Sequence, residues 1–215
     1  MKDIIRLLDI GLEQLMAMVF RMGEVAEKAL KISFKGFIDG KDSQEEMQEI
    51  SEILTRMSLD VEDKAFELIV KYQPVASDLR IINSYMKIAY DFGRYGRYGL
   101  DISLTYKIVK KLRKRTITSD LVQQILDIVV KMVIISIKAL KNHNSELAKT
   151  LAPMETEVDK LYIAYLDELT QSASIDKWCM CDLLVVRYLE RIADHTTYVG
   201  ESIVYIVEGK KIRLR

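Results

Sequence analysis

Only two prolines, Pro74 and Pro153, occur in this chain of 215 residues, with nine glycines as the other strong breakers. Proline ends helices because its ring fixes φ and removes a backbone donor, so its scarcity leaves long stretches free to run helically. Leu, Ile, Lys, Glu, Met and Ala dominate the stretches between, which is the composition of long helices and not of strands. Apolar residues recur at three and four spacing from Ile4 to Phe37, as in Ile5, Leu8, Leu12, Leu15, Val19 and Met22. That period predicts one amphipathic helix ending near Asp39-Gly40.

Five more helices follow from stop and start signals. Ser43 with Glu46 reads as a capping box opening a helix that runs to Tyr72, where Gln73-Pro74 stops it. Ser77, with Asp78 in the first turn, is the expected cap of a third helix reaching Leu112. Ser119 opens a fourth to Asn142, Ser145 a fifth to Thr170 with a kink at Pro153, and Ser174 a sixth to Val207. Six long helices with short connectors imply antiparallel neighbours, an all-α fold of two tandem three-helix bundles. The basic run Lys110, Lys111, Arg113, Lys114 and Arg115 marks the middle of the chain and reads as a solvated connector.

Shifting the chain by 97 residues aligns Met57 with Met154, Val61 with Val158, Ser77 with Ser174 and Arg94 with Arg191. The organisation read from this is one repeat over residues 1–112, a connector over 113–118, a second repeat over 119–209 and a basic tail over 210–215. In the second repeat Glu155 and Asp159 lie four apart on one helix, and Glu190 and Asp194 four apart on the next. Side chains at that spacing share a helical face, so four carboxylates are placed to converge. Paired carboxylates on facing helices hold cations such as iron, manganese, magnesium or calcium. Arg187, Arg191 and His195 lie beside them, so the neutralising charge is either a metal or a side chain. The same offset puts Ser58, Glu62, Gly93 and Arg97 at those four positions of the first repeat, which retains one carboxylate and adds a positive charge. Gly93, Gly96 and Gly99 lie inside a helical segment, where they suit close packing and not a phosphate loop, which follows a strand.

Thirty-two basic and 32 acidic side chains cancel, so no overall field draws the chain to nucleic acid or to an anionic membrane. The first residues lack a signal-peptide layout, and the most apolar stretch, Val129 to Leu140, is interrupted by Lys131 and Lys138. Cys179 and Cys181 sit two apart on a helix and face different ways, which argues against a disulfide and for a reducing, cytoplasmic setting. A carboxylate-bridged metalloenzyme is disfavoured because neither His143 nor His195 stands three residues after a glutamate.

Two segments, Gln73-Pro74-Val75-Ala76-Ser77-Asp78-Leu79-Arg80 and Arg187-Tyr188-Leu189-Glu190-Arg191-Ile192-Ala193-Asp194-His195, resemble the signatures of the PhoU family, and Tyr205-Ile206-Val207-Glu208-Gly209 resembles its closing segment. The resemblance covers nearly the whole length. It implies a non-enzymatic regulator of phosphate uptake, a homodimer that touches a membrane complex peripherally. Its implied partners are the ATPase subunit of a phosphate ABC importer and a sensor kinase, or in the alternative another phosphate permease or ion transporter. It further implies an iron or zinc cluster at the acidic motif, here Glu190 and Asp194 with Glu155 and Asp159, while Asp78 and Arg80 become candidates for a partner surface. The first repeat, reading Asp91-Phe92-Gly93-Arg94-Tyr95-Gly96-Arg97, departs from the acidic motif, which leaves the second repeat as the expected site.

Overall fold

A computed structural model describes residues 7–110 and 119–215, all in helices and short connections. The helices are α1 (Leu7–Asp39), α2 (Gln44–Tyr72), α3 (Ala76–Val109), α4 (Asp120–Lys141), α5 (Ser145–Lys149), α6 (Leu151–Gln171) and α7 (Lys177–Glu208). The expected connector 113–118 and most of the basic run lie outside the described residues; within it, Lys110 pairs with Asp42.

Pro153 accounts for the seventh helix. As the third residue of α6 it cannot donate to the Lys149 carbonyl and its ring crowds that group, so the expected kink is a full break at Thr150. Four of the expected caps also differ. Ser43 stands at the start of α2, but its hydroxyl lies 3.0 Å from that of buried Ser103 on α3, and Asp42 accepts the Gln44 N–H instead. Ser77 lies inside α3, which begins after extended Val75 with no side-chain cap. Asn144, not Ser145, caps α5 through the Leu147 N–H, and Asp176, not Ser174, caps α7 through Trp178 and Cys179 at 2.8 Å. Ser119 caps α4 as expected, accepting from Leu121.

Helices α1, α2 and α3 form one bundle, and α4, α6 and α7, with α5 against α7, form the other. The bundles meet chiefly along α3 and α7, and also where α1 touches α4. One apolar core runs through both, from Leu15 and Met22 through Phe92 and Tyr95 to Val185 and Ile203. Leu54 and Leu151, Val61 and Val158, and Leu68 and Tyr165 are buried at matching positions of the two repeats.

The glycines of α3 serve packing. A Cβ on Gly96 would lie 2.4 Å from Leu54 of α2, and one on Gly99 would meet Met47 of α2 at 3.0 Å and Leu30 of α1 at 3.4 Å. The Gly99 carbonyl also accepts the Ser33 hydroxyl at 2.7 Å. Cys179 and Cys181 are free thiols.

Candidate functional site

Glu190 and Asp194 stand one turn apart on α7, on the side that meets Glu155 of α6. All three are buried, at 7%, 2% and 4% exposure, whereas Asp159 is exposed. Burial disfavours a charged carboxylate, and like charges close by disfavour it further. Glu155 feels both: burial pushes its carboxyl up, and the charges of Asp159, Asp194 and Glu190 add to the shift. Glu155 is thus the carboxylate on which the other three bear. Glu190 is pushed up by burial and held back by hydrogen bonds from Arg191.

Guanidinium groups supply the countercharge. Arg191 grips Glu190 with two parallel bonds, Nε to Oε2 at 2.8 Å and Nη2 to Oε1 at 2.9 Å, while Arg187 reaches the same carboxylate at 2.9 Å. Arg191 Nη1 lies 3.0 Å from Asp194 Oδ2, and Arg215 pairs with Asp194 Oδ1. Asp194 Oδ2 is buried and accepts no hydrogen bond, because the Arg191 contact is close in charge but poorly aligned. Arg187 lies over the Tyr162 ring of α6, and Arg215 over Tyr198 of α7.

Oxygen donors of this kind suit a hard or borderline divalent cation, and an orphaned buried carboxylate oxygen is a ready ligand. Among the described residues, however, no three His, Cys, Asp or Glu side chains stand in metal-holding geometry.

The first repeat is built differently. Arg97 turns outward to Asp101 at 3.5 Å, and Ser58 and Glu62 line an open cleft of about 570 Å³ between α2, α3 and α7. Its walls include Tyr90, Tyr198 and Tyr205, and Asp91 lies at its floor. Asp91, 4% exposed, meets His195 Nδ1 of α7 at 2.7 Å. Burial pushes the Asp91 carboxyl up, and the His195 contact opposes that shift.

Arg80 is half-buried. Its guanidinium packs against Gly209, where an added Cβ would sit 2.8 Å from Nη1, and lies 5.8 Å from the Tyr205 ring. It thus braces the start of α3 on the carbonyl end of α7, where a cation is favoured. Asp78 sits in the first turn of α3, its N–H bonded to Val75 O at 3.2 Å.

Sequence reasoning did not find Arg215 or the Asp91–His195 contact. One signal for the latter was present. The repeat offset carries Asp91 onto Tyr188 and His195 onto Tyr98, and those two rings stack 6.3 Å apart at 27°. A single cross-repeat contact is made twice, once by a carboxylate and a histidine and once by two tyrosines.

Comparison with known proteins agrees with this architecture. The family model described as PhoU domain matches residues 19–105 and again 122–203. The chain is 32% identical over 221 residues to a phosphate-specific transport system accessory protein PhoU homolog of Clostridium acetobutylicum, covering 97% of this chain and 98% of that protein. It is 26% identical over 207 residues to the homolog of the same description from Pseudomonas aeruginosa, covering 94% and 86%. The crystal structure of PhoU from Pseudomonas aeruginosa superimposes with a TM-score of 0.87 at 23% identity, over 94% of this chain and 99% of the other. That of the phosphate transport system regulatory protein PhoU from Streptococcus pneumoniae gives 0.83 at 20% identity, over 95% and 99%.

Proposed function

The chain belongs to the PhoU family, and on that premise we propose that it regulates phosphate uptake and phosphate signalling by protein–protein contact. Its partners in this reading are the ATPase subunit of a phosphate ABC importer, the associated sensor kinase, or both, met at the cytoplasmic face of the membrane. The observation that carries the reading is that the family match spans both repeats, with relatives named for phosphate-specific transport along nearly the whole chain. The family is one of regulatory accessory proteins and not of enzymes, so the mechanism is docking and not turnover. Among the described residues no helix is long and apolar enough to cross a membrane, which is compatible with peripheral contact.

The acidic site tunes that docking. A divalent cation held by Glu155, Glu190 and Asp194, with Asp159 at the rim, would favour the charged forms of Glu155 and Glu190, which burial and neighbouring like charges disfavour. Because Glu155 belongs to α6 and the other two buried groups to α7, neutralisation would tighten the seam between those helices. In the cation's absence Arg187, Arg191 and Arg215 supply the countercharge to Glu190 and Asp194.

The test is metal analysis of protein purified without chelator or polyhistidine tag, beside a Glu190→Ala plus Asp194→Ala variant. We expect iron or zinc in the first, lost in the second, together with weaker capture of the importer ATPase subunit. Metal in neither would leave a docking protein whose acidic cluster is structural. Failure to bind either the ATPase subunit or the kinase would overturn the regulator reading itself. Light scattering after size exclusion tests the homodimer, with twice the 24.8 kDa chain mass expected.

A further inference from the structure

We propose that the outward face of α2 is a docking surface for a basic amphipathic helix of a partner protein. The identity of that partner rests on the regulator reading above; the surface rests on α2 itself. At 3.6 residues per turn Leu59, Phe66 and Val70 fall within about 40° of one another around the helix axis, and they span about 16 Å along it. They are 56%, 50% and 78% exposed, and the exposed side chains of Val75 and Leu79 follow at the turn into α3. Single exposed apolar groups are ordinary, whereas several aligned on one face and rimmed by charge mark an interaction site.

Folding does not account for the stripe. The repeat offset carries Leu59, Phe66 and Val70 onto Thr156, Ile163 and Asp167 of α6, all exposed. The buried face is kept apolar in both copies, through Val61 and Val158 and through Leu68 and Tyr165. The second repeat thus builds the same helix with one apolar group at those three outward places.

The rim selects the occupant. Glu62 borders the stripe on one side, and Asp63, Asp60 and Glu67 border it on the other, against one basic residue, Lys64, in the same stretch. Lys64 pairs with Glu67 at 2.9 Å, and among the described residues Asp60, Glu62 and Asp63 have no ion-pair partner. A second copy of α2, or an anionic membrane, would set negative charge against negative charge. A segment with apolar groups at three and four spacing and Lys or Arg beside them meets both the stripe and its rim. About three turns of such a helix match the stripe in length.

The test titrates the full chain into fluorescein-labelled Leu/Lys peptides of about four helical turns, one ordered to put Leu on a single face and one scrambled, read by fluorescence anisotropy. The variants are Leu59→Ser plus Phe66→Ser, Glu62→Gln plus Asp63→Asn, and Ile163→Ser as the second-repeat control, with circular dichroism to check that each keeps its helices. We expect wild type and Ile163→Ser to bind the amphipathic peptide alike, and about ten-fold tighter or more than the scrambled one. Leu59→Ser plus Phe66→Ser should weaken binding about ten-fold, and Glu62→Gln plus Asp63→Asn should weaken it and flatten its dependence on salt.

Equal binding by wild type and the serine variant would overturn the docking surface. So would a wild-type dimer that the serine variant dissociates in light scattering, because a second copy would then cover the face. Capture of the importer ATPase subunit and of the sensor kinase separates the two readings. A partner held equally by wild type and the serine variant would overturn the surface and leave the regulator reading standing; peptide binding at α2 with neither partner captured would overturn the regulator reading alone.

Discussion

Asp91 and His195 are joined across 104 positions of sequence by one contact of 2.7 Å at the α3–α7 crossing, with the rings of Tyr90, Tyr98 and Tyr198 around the imidazole. Removing one partner of a buried hydrogen bond leaves the other unsatisfied, at a cost of about 1–3 kcal/mol. Asp91→Ala should therefore destabilise by about that much in chemical denaturation. Asp91→Asn, whose amide oxygen still accepts from the imidazole, should cost clearly less; equal losses would mean that burial and not the bond matters. The comparison has a pH signature. Burial raises the Asp91 carboxyl above 3.8 in the fold, so the native state holds that proton more tightly than the unfolded chain does. Stability then falls as pH rises from 3.8 through the raised value. The wild type should lose ground to Asp91→Asn across that window, and a gap that does not change with pH would count against a buried, raised carboxyl. Both residues were visible in sequence, but nothing within either helix marks them as partners.

At the scale of elements, the helices were legible because a period of 3.6 residues is written locally, and so was the interruption near Pro153. Caps were less legible. Ser43, Ser77, Ser145 and Ser174 each have the right chemistry for a cap, yet Ser43 turns toward Ser103 of α3, and Asn144 and Asp176 bond the free N–H groups of α5 and α7. Several candidates sit within three residues of each helix start, and tertiary contacts choose among them. The α2–α3 interface allows a sharper test. Alanine in place of Gly96 gains helix propensity worth about 1 kcal/mol but meets Leu54 at 2.4 Å, and overpacking costs about 1–3 kcal/mol. Gly96→Ala alone should thus be neutral to destabilising by about 2 kcal/mol. In a Leu54→Ala background the same change should stabilise. Additive effects in the double variant would show that the two helices do not meet there as described.

At the scale of the molecule, the two repeats share one core, and their meeting helices α3 and α7 each belong to a different bundle. Neither bundle can expose that seam cheaply, so unfolding should be a single cooperative step. Trp178, the one tryptophan, lies in the second repeat, whereas far-ultraviolet circular dichroism reads both. The two denaturation curves should coincide, and a separate tryptophan midpoint would mean that the repeats unfold independently. The zero net charge conceals an uneven distribution: α2 carries eight acidic and three basic side chains, and α6 five and one. The sequence by itself determined the helical class, the duplication and the acidic motif of the second repeat, because periodicity, breakers and spacing are properties of neighbours along the chain. Only the tertiary structure decided which charges answer that motif. Packing of α6 against α7 brought Glu155 within range of the Asp194 charge, the return of residues 210–215 brought Arg215, and the α3–α7 crossing brought Asp91 to His195. Each joins groups from separate elements, and the relative positions of such elements are set by how their apolar faces bury one another.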